Sequence, residues 1–262
     1  HNADQQNRLN EINVIQPMLF AVQVALARLW TSWGITPDAV TGHSMGEVAA
    51  AHIAGALTLE DAAAIICTRS ALMRTVSGKG GCMVVTELSL PDAEKLVQKF
   101  PRLSVAVSNS PKSTVLAGDQ QSVTEVIALL EHQDLFCRQV KVERAAHSQQ
   151  KDPLKEPLRD TLRGIQPHDH TIPFFSSVRT SFMPGTTLDA NYWVDNLRGT
   201  VQFANAMQQL MECEHTVFIE VSPHPVLTNA IQECAQNVKA EVCVVPSLLR
   251  EIPEQDTLFR SL

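Results

Sequence analysis

The sequence predicts an α/β fold, in which a large domain with a mainly parallel sheet is interrupted by a small α+β domain. Short β-branched segments alternate with helical patterns on both sides of residues 79–146. Such alternation is typical of parallel sheets covered by helices on both faces. Residues 79–146 themselves follow the order βαββαβ, which is typical of a ferredoxin-like module of roughly sixty residues. We therefore expect residues 1–78 and 147–262 to form the large domain and residues 79–146 the small one.

The residues before the small domain predict three helices and one strand. The first helix has Pro17 in its first turn and Gly34 as its stop signal. The third begins with Thr58-Leu59-Glu60-Asp61, which resembles a capping box. The cluster Gly78-Lys79-Gly80-Gly81 lacks the Gly-Lys-Ser/Thr ending of a phosphate-binding loop and is interpreted as a hinge. The expected elements are helices over 17–33, 45–55 and 59–75 and a strand over 38–41.

Apolar patterns with periods of two and 3.6 residues predict the elements after the hinge. In the small domain we expect strands over 82–88, 103–108, 113–117 and 136–142 and helices over 91–100 and 122–133. In the remainder we expect helices near 151–163, 202–212 and 225–236 and strands over 173–178, 216–221 and 241–245.

Composition restricts the classes of function. With 262 residues, 44% of them hydrophobic, the chain is long enough to bury a large core. Its net charge of −7 argues against general affinity for nucleic acid. We find no apolar run of about 18 residues and no signal peptide, and therefore expect no membrane span and a cytoplasmic location. The six cysteines form no Cys-x-x-Cys pair and predict buried free thiols and no metal site.

One pentapeptide carries the clearest chemical signal. Gly42-His43-Ser44-Met45-Gly46 lies between a short apolar strand and a helix-forming segment, and Gly-x-Ser-x-Gly in that context exposes its serine on a sharp turn. The two glycines are expected to relieve crowding in the turn. The first N–H groups of the helix, starting near Met45, are expected to face an oxyanion above Ser44. The alternative is a glycine-rich turn whose serine has no chemical role.

A second signal is an arginine on an apolar helix face. Arg69 shares one stripe of the 59–75 helix with apolar side chains. A guanidinium cannot lose its proton and is costly to desolvate alone, so we expect an anionic partner from the protein or from a ligand. The alternatives are an internal salt bridge or a side chain that reaches the surface.

Six segments together resemble the acyltransferase domain of modular polyketide synthases, in the malonyl-CoA:acyl carrier protein transacylase-like family. The segments are 14–23, 42–47, Arg69, 145–148, 192–197 and 222–227. The resemblance implies a large α/β-hydrolase-like domain with a ferredoxin-like insert. It also implies a reaction without a permanently bound cofactor: a carboxylated acyl group passes from coenzyme A to the serine, and then to the phosphopantetheine thiol of an acyl carrier protein. Neighbouring polyketide synthase domains are the other implied partners.

The resemblance assigns roles to several residues. Ser44 is the implied nucleophile, and His147, which lies where the chain returns from the small domain, is the implied base. The main-chain carbonyl of Asn196 is expected to orient the histidine ring. Asp195 and Asp152 are the conventional alternatives for that task. Met45 is expected to supply the oxyanion N–H.

The same resemblance places substrate contacts. Arg69 is expected to bind the free carboxylate of a malonyl-type substrate through two parallel hydrogen bonds. His43 and Gln16 are expected to line the same pocket, with plain alternatives: His43 packing behind the turn, and Gln16 capping a helix.

The acyl group is predicted from the residues around the base. The run Arg144-Ala145-Ala146-His147 matches neither His-Ala-Phe-His, which is common for malonyl, nor Tyr-Ala-Ser-His, which is common for methylmalonyl. The small side chain of Ala146 leaves space for an α-substituent, and residues 11–16 resemble the methylmalonyl pattern. Met45 favours malonyl, because methylmalonyl enzymes usually carry glutamine there. We predict methylmalonyl, with malonyl as the alternative, and place Arg144 either beside a polar acyl substituent or at the surface.

Two other functions are weighed against this one. A serine esterase or thioesterase shares Gly-x-Ser-x-Gly, but only 43 residues precede Ser44, fewer than several preceding strands would need. A non-catalytic scaffold domain is the second alternative. Family members begin with a Gly-Gln-Gly segment that is absent from this chain, which starts at His1. We therefore expect the chain to be part of a longer polypeptide. Because that segment's glutamine is expected to contribute to the active site, the completeness of the oxyanion site is a question for experiment.

Overall fold

The structure, a computed structural model, describes residues 8, 11–78, 80–140 and 145–261. Its helices are α1 Ile12–Ser32, α2 Gly46–Ile53, α3 Leu59–Thr75, α4 Leu90–Val97, α5 Gln120–Glu131, α6 Lys155–Thr161, α7 Ala190–Arg198, α8 Phe203–Glu212, α9 Thr228–Val238 and α10 Glu254–Arg260. Its strands are β1 Val40–Thr41, β2 Gly81–Thr86, β3 Leu103–Ser110, β4 Ser113–Asp119, β5 Cys137–Val140, β6 Phe174–Ser176, β7 Ser181–Met183, β8 Val201–Gln202, β9 Val217–Glu220 and β10 Cys243–Pro246.

The predicted βαββαβ module is confirmed. Strands β2 to β5 pair in the order β5-β2-β4-β3, with antiparallel neighbours, and α4 and α5 lie between them in the chain. Ser89 caps α4 and Asp119 caps α5, each through a backbone N–H within the first turn. Local caps and strand alternation therefore set the elements of the module.

The α/β class of the remaining chain is also confirmed, with a difference in its sheets. Parallel pairing occurs between β1 and β6 and between β9 and β10, but these pairs belong to two separate small sheets. Strand β8 pairs in parallel with β3, with Val201 opposite Val107, and so extends the sheet of the βαββαβ module. A strand from outside residues 79–146 thus completes that sheet, and the proposed division into two domains stays a prediction.

Helix α1 differs from the prediction in two ways. It begins at Ile12, so Pro17 lies inside the helix and not in its first turn. Ile12 and Phe20 are both buried in the core, and this packing maintains the helix through the proline. With 21 residues, and a mean hydropathy of 1.5 over an 18-residue stretch, α1 also has the length and composition of a membrane span, contrary to the sequence expectation. One such helix is weak evidence, because core helices pass the same test.

Four of these elements were not predicted: α7, α10, β7 and β8. Helix α7 is capped by Asp189, the residue before its first turn, whose side chain accepts hydrogen bonds from two backbone N–H groups. The cysteines are all free as expected, but only Cys82 and Cys234 are buried; those exposed are Cys67, Cys213 and Cys243.

Three buried clusters form the core. One lies among α1, α2, α3 and α7, and another fills the βαββαβ module. The third combines residues of both regions, such as Val115 and Ala117 from β4 with Phe203 and Met207 from α8. This shared core holds the module against the rest of the chain next to the turn between β1 and α2.

Candidate active site

Ser44 lies on the sharp turn between β1 and α2 that the pentapeptide predicts. Its φ of 54° is in the left-handed region, which non-glycine residues rarely adopt. A side chain at Gly42 would place its Cβ 2.1 Å from the backbone nitrogen of Glu47, so this glycine is required. The expectation for Gly46 is wrong: a Cβ there would meet only Gln23 Nε2, at 3.8 Å. The close approach of the turn is therefore relieved at one glycine.

His147 meets the serine across the site. Its Nε2 lies 2.7 Å from Ser44 Oγ, although the two residues are 103 positions apart. The residue is 3% exposed, and its backbone φ of 50° makes it a second left-handed residue at the site. Both members of the pair are thus held in unusual backbone conformations by the surrounding structure.

The carbonyl that orients the histidine is that of Gly199, and the prediction for Asn196 is wrong. His147 Nδ1 lies 2.8 Å from Gly199 O. The chain leaves α7 at Gly199 in an extended conformation, which turns this carbonyl toward the ring. Asn196 lies one turn earlier, and its side chain instead donates to Ser44 O at 3.1 Å. A carbonyl only accepts, so Nδ1 carries the proton and the lone pair of Nε2 faces the serine hydroxyl.

The two conventional acidic alternatives are engaged elsewhere. Asp195 pairs with Arg179, and Asp152 accepts from Arg198 Nε at 2.9 Å. Each carboxylate has 40% or more of its side chain exposed.

The surroundings hold His147 in its neutral form. Burial, the charge of Arg69 and the nearby His43 together lower the pKa of His147 to about 3. A neutral ring can accept a proton from the serine at ordinary pH.

Arg69 is buried, at 2% exposure, beside the serine. Its guanidinium donates to Ser44 Oγ at 3.1 Å and to Gln16 Oε1 at 2.9 Å. Gln16 lies inside α1, so it does not cap a helix. Its side chain contacts Arg69 of α3 and so joins the two helices. The buried guanidinium of Arg69 and the imidazole of His147 therefore both contact Ser44 Oγ.

His43 is held by a residue that the sequence did not indicate. Its Nε2 lies 3.0 Å from Asn109 Oδ1, and its ring contacts Phe203 with centroids 5.6 Å apart. Asn109 lies where the register of β3 shifts between Ser108 and Ser110, and such bulges redirect side chains. Desolvation lowers the pKa of His43. The βαββαβ module thus contacts the turn directly.

The predicted specificity residues lie at two places. Met45, the residue before α2, is half-buried against the helical core, and Ala146 is half-buried next to His147. The backbone N–H of Met45 is at the start of the helix, where N–H groups lack intrahelical partners. Arg144 lies outside the described residues.

The groups that converge on Ser44 suit acyl transfer. In the described part of the chain, no group of three or more His, Cys, Asp or Glu side chains is placed to hold a metal ion. An imidazole can take up and return a proton at the serine, and a guanidinium can bind an anion. The site therefore combines a serine, its proton acceptor and an anion-binding group.

Comparison with known proteins agrees with this geometry. The acyl transferase domain family profile matches residues 2–261. The chain belongs to this family. It is 43% identical over 256 residues to erythronolide synthase EryA2 of Saccharopolyspora erythraea and 44% identical over 243 residues to the spectinabilin polyketide synthase protein NorA of Streptomyces orinoci. These matches cover 97% and 92% of this acyltransferase domain but only 7% and 13% of those proteins.

Solved structures show the same fold for the acyltransferase domain. The acyltransferase domain from module 8 of the salinomycin polyketide synthase is 37% identical, with a TM-score of 0.94; 97% of this chain and 60% of that chain are covered. The loading acyltransferase from the avermectin polyketide synthase is 36% identical, with a TM-score of 0.89 and coverage of 97% and 80%. The chain is therefore an acyltransferase with the α/β-hydrolase-like core and ferredoxin-like subdomain of these domains.

Proposed function

We propose that this domain loads a carboxylated extender unit from coenzyme A onto Ser44, and then onto the phosphopantetheine thiol of an acyl carrier protein in a cytoplasmic polyketide synthase. One observation carries the proposal: Ser44 Oγ lies within hydrogen-bond distance of both His147 Nε2 and the Arg69 guanidinium. The first contact provides a base and the second an anion site.

His147 moves the proton in each half-reaction. Ser44 Oγ attacks the thioester carbonyl while His147 Nε2 takes the serine proton, and the same proton then goes to the departing coenzyme A sulfur. In the second half-reaction the carrier thiol gives its proton to Nε2 and attacks the acyl-serine, and the proton returns to Ser44 Oγ. The Gly199 carbonyl keeps the ring in the tautomer that both steps need.

The start of α2 stabilises the oxygen that becomes negative. The Met45 N–H follows the serine directly and is at the positive end of the helix. Removal of one oxyanion donor costs about 3 kcal/mol in comparable enzymes.

Arg69 selects the carboxylated substrate. A substrate carboxylate would replace Ser44 Oγ or Gln16 as an acceptor and form a charge-assisted contact, which neutral acyl groups lack. The charge of Arg69 also depresses the pKa of His147. A bound carboxylate would offset this charge and make the base stronger when the correct substrate is present.

Methylmalonyl is the acyl group that we favour. The small side chain of Ala146, directly before the base, leaves space for an α-methyl group, whereas phenylalanine at this position would fill it. A related acyltransferase domain, from SpnD, has been solved as a complex with 2-(pent-4-yn-1-yl)malonyl, at 27% identity and a TM-score of 0.86. An α-substituted malonyl group is thus compatible with this fold.

Intact-mass measurement tests the proposal. The protein is incubated with methylmalonyl-CoA, malonyl-CoA or propionyl-CoA, with Ser44→Ala as control, and a carrier protein bearing phosphopantetheine is then added. We expect a methylmalonyl adduct that disappears on addition of the carrier, and no adduct on the variant. Release of free acid without transfer would indicate an esterase. A folded protein that forms no adduct with any of the three would indicate a scaffold.

A further inference from the structure

Glu47 is a fully buried carboxylate directly after the serine turn. It lies in the first turn of α2 and has no exposed surface. Ser177 donates to Oε1 through its backbone N–H and its hydroxyl. The Tyr192 hydroxyl donates to Oε2 at 2.6 Å, and Asn196 Nδ2 donates to the same oxygen at 2.8 Å. Four donors therefore occupy the acceptor positions of one carboxylate.

Two of these donors belong to α7, the helix whose C-terminal end contacts the base His147. Tyr192 and Asn196 lie one turn apart on α7, and Gly199, at its end, holds His147 Nδ1. Asn196 Nδ2 also donates to Ser44 O at 3.1 Å, so one amide contacts both the serine backbone and the carboxylate. The serine turn is thus joined to α7 both through Glu47 and through the direct Asn196 bond, and the end of α7 holds His147.

Comparison with a second buried carboxylate shows that the hydrogen bonds to Glu47 are not local helix capping. Glu220 is 7% exposed and also accepts several hydrogen bonds, from Ser222, Val226, Leu227 and Thr228. Its donors lie within eight positions and fix the start of α9. The α7 donors of Glu47 are 145 and 149 positions away.

We propose that Glu47 is a positioning residue that fixes the distance between Ser44 and His147 by joining the serine turn to helix α7. The proposal rests on the roles of Ser44 and His147 proposed above. Hydrogen bonds to a buried charged group are strong and directional, so they hold α7 in one position. Burial raises the pKa of Glu47, and the bonds from Tyr192, Ser177 and Asn196 act against that shift.

Tyr192→Phe is the central test, because it removes the hydroxyl and leaves the ring packed against Phe174 and Trp193. Glu47→Gln is the second variant. Thr86→Val is the matched control, since it also deletes one buried hydroxyl donor, to Thr114 O at 3.0 Å in the β2–β4 pair. All proteins are assayed well below the lowest Tm in the set.

The first readout is acyl transfer. We expect Tyr192→Phe and Glu47→Gln to lower kcat by about ten- to a hundredfold, as small displacements of reacting groups do. KM for methylmalonyl-CoA should stay unchanged, because Arg69 and Gln16 belong to α3 and α1. Thr86→Val should lower Tm and leave kcat unchanged.

The second readout is the rate at which a small fluorophosphonate labels Ser44, which needs the Ser44–His147 pair but no acyl-CoA. This rate should fall with kcat in both variants. Wild-type labelling and kcat in folded Tyr192→Phe would overturn the role of Glu47, and Tyr192→Phe decides the test if Glu47→Gln does not fold. The Ser44→Ala variant separates the two proposals. If Ser44→Ala is still acylated, the proposed function is overturned. If Ser44→Ala is not acylated but Tyr192→Phe has wild-type kcat and labelling, only the inference about Glu47 is overturned.

Discussion

The proposed reaction centre and the residues proposed to face the acyl substituent are held in different ways. At the reaction centre, Ser44, His147 and Arg69 each make hydrogen bonds to residues 25 or more positions away. At the two predicted specificity positions, Met45 is a half-buried side chain packed against the helical core, and Ala146 is a half-buried side chain next to His147. Directional hydrogen bonds fix the positions of the reacting atoms, whereas packing fixes only the volume that is available to the substrate. We therefore expect large losses from changes at the centre and graded changes in preference on the other side.

The largest effect should come from the reacting pair. Ser44→Ala should abolish acyl loading because no nucleophile remains. His147→Ala should lower loading by roughly a thousandfold or more, since the serine keeps its proton. Acyl adducts measured by mass over time check both variants. Normal loading by either folded variant would remove that residue from the reaction centre.

The next effect should separate substrates by charge. Arg69→Ala should weaken use of methylmalonyl-CoA by about 2–5 kcal/mol, because a buried charge-assisted contact is lost. Propionyl-CoA has no carboxylate and should lose little. Arg69→Lys should rescue in part, since an ammonium lacks the planar fork.

The ratio of kcat/KM for the two substrates in each Arg69 variant measures this effect. An unchanged ratio in protein that is folded by circular dichroism would make Arg69 a structural residue and weaken the assignment to carboxylated substrates.

A smaller effect concerns stability against acid. The pKa of His147 is lowered from 6.5 to about 3 on folding, so below pH 6.5 the unfolded chain binds a proton that the folded chain does not. Stability should therefore fall as pH falls through this window, by roughly 1.5 to 2 kcal/mol between pH 6.5 and 5. His147→Gln should remove this contribution to the pH dependence of stability. Urea unfolding at both pH values measures it, and identical pH slopes for the two proteins would contradict it.

An effect of similar size should arise at the position proposed to face the acyl substituent. Ala146→Phe should reduce use of methylmalonyl-CoA more than use of malonyl-CoA, by about 1–3 kcal/mol, because the ring fills space that the methyl group needs. A competition assay with both substrates gives the ratio. Equal losses on both would show that Ala146 does not contact the substituent.

The sequence by itself determined the elements whose signals are local. Helix α3 spans Leu59–Thr75, as its capping residue Thr58 and apolar spacing predicted, and the βαββαβ module has the predicted order. The serine turn followed from five residues. The cap of α3 and the glycine turn involve residues a few positions apart, and the strands and helices of the module follow local apolar periodicity, so these patterns are visible in the chain.

Only the tertiary structure decided what surrounds the serine. The carbonyl that orients His147 belongs to Gly199, 52 positions away, and Asn109 reaches His43 from 66 positions away through a bulge in β3. Glu47 looked like an ordinary helix-forming residue until α7 supplied donors to it. These contacts depend on how α7 and β3 pack against the turn. Packing of distant elements leaves no periodic signal in the sequence, because each partner satisfies its own local pattern with many different side chains.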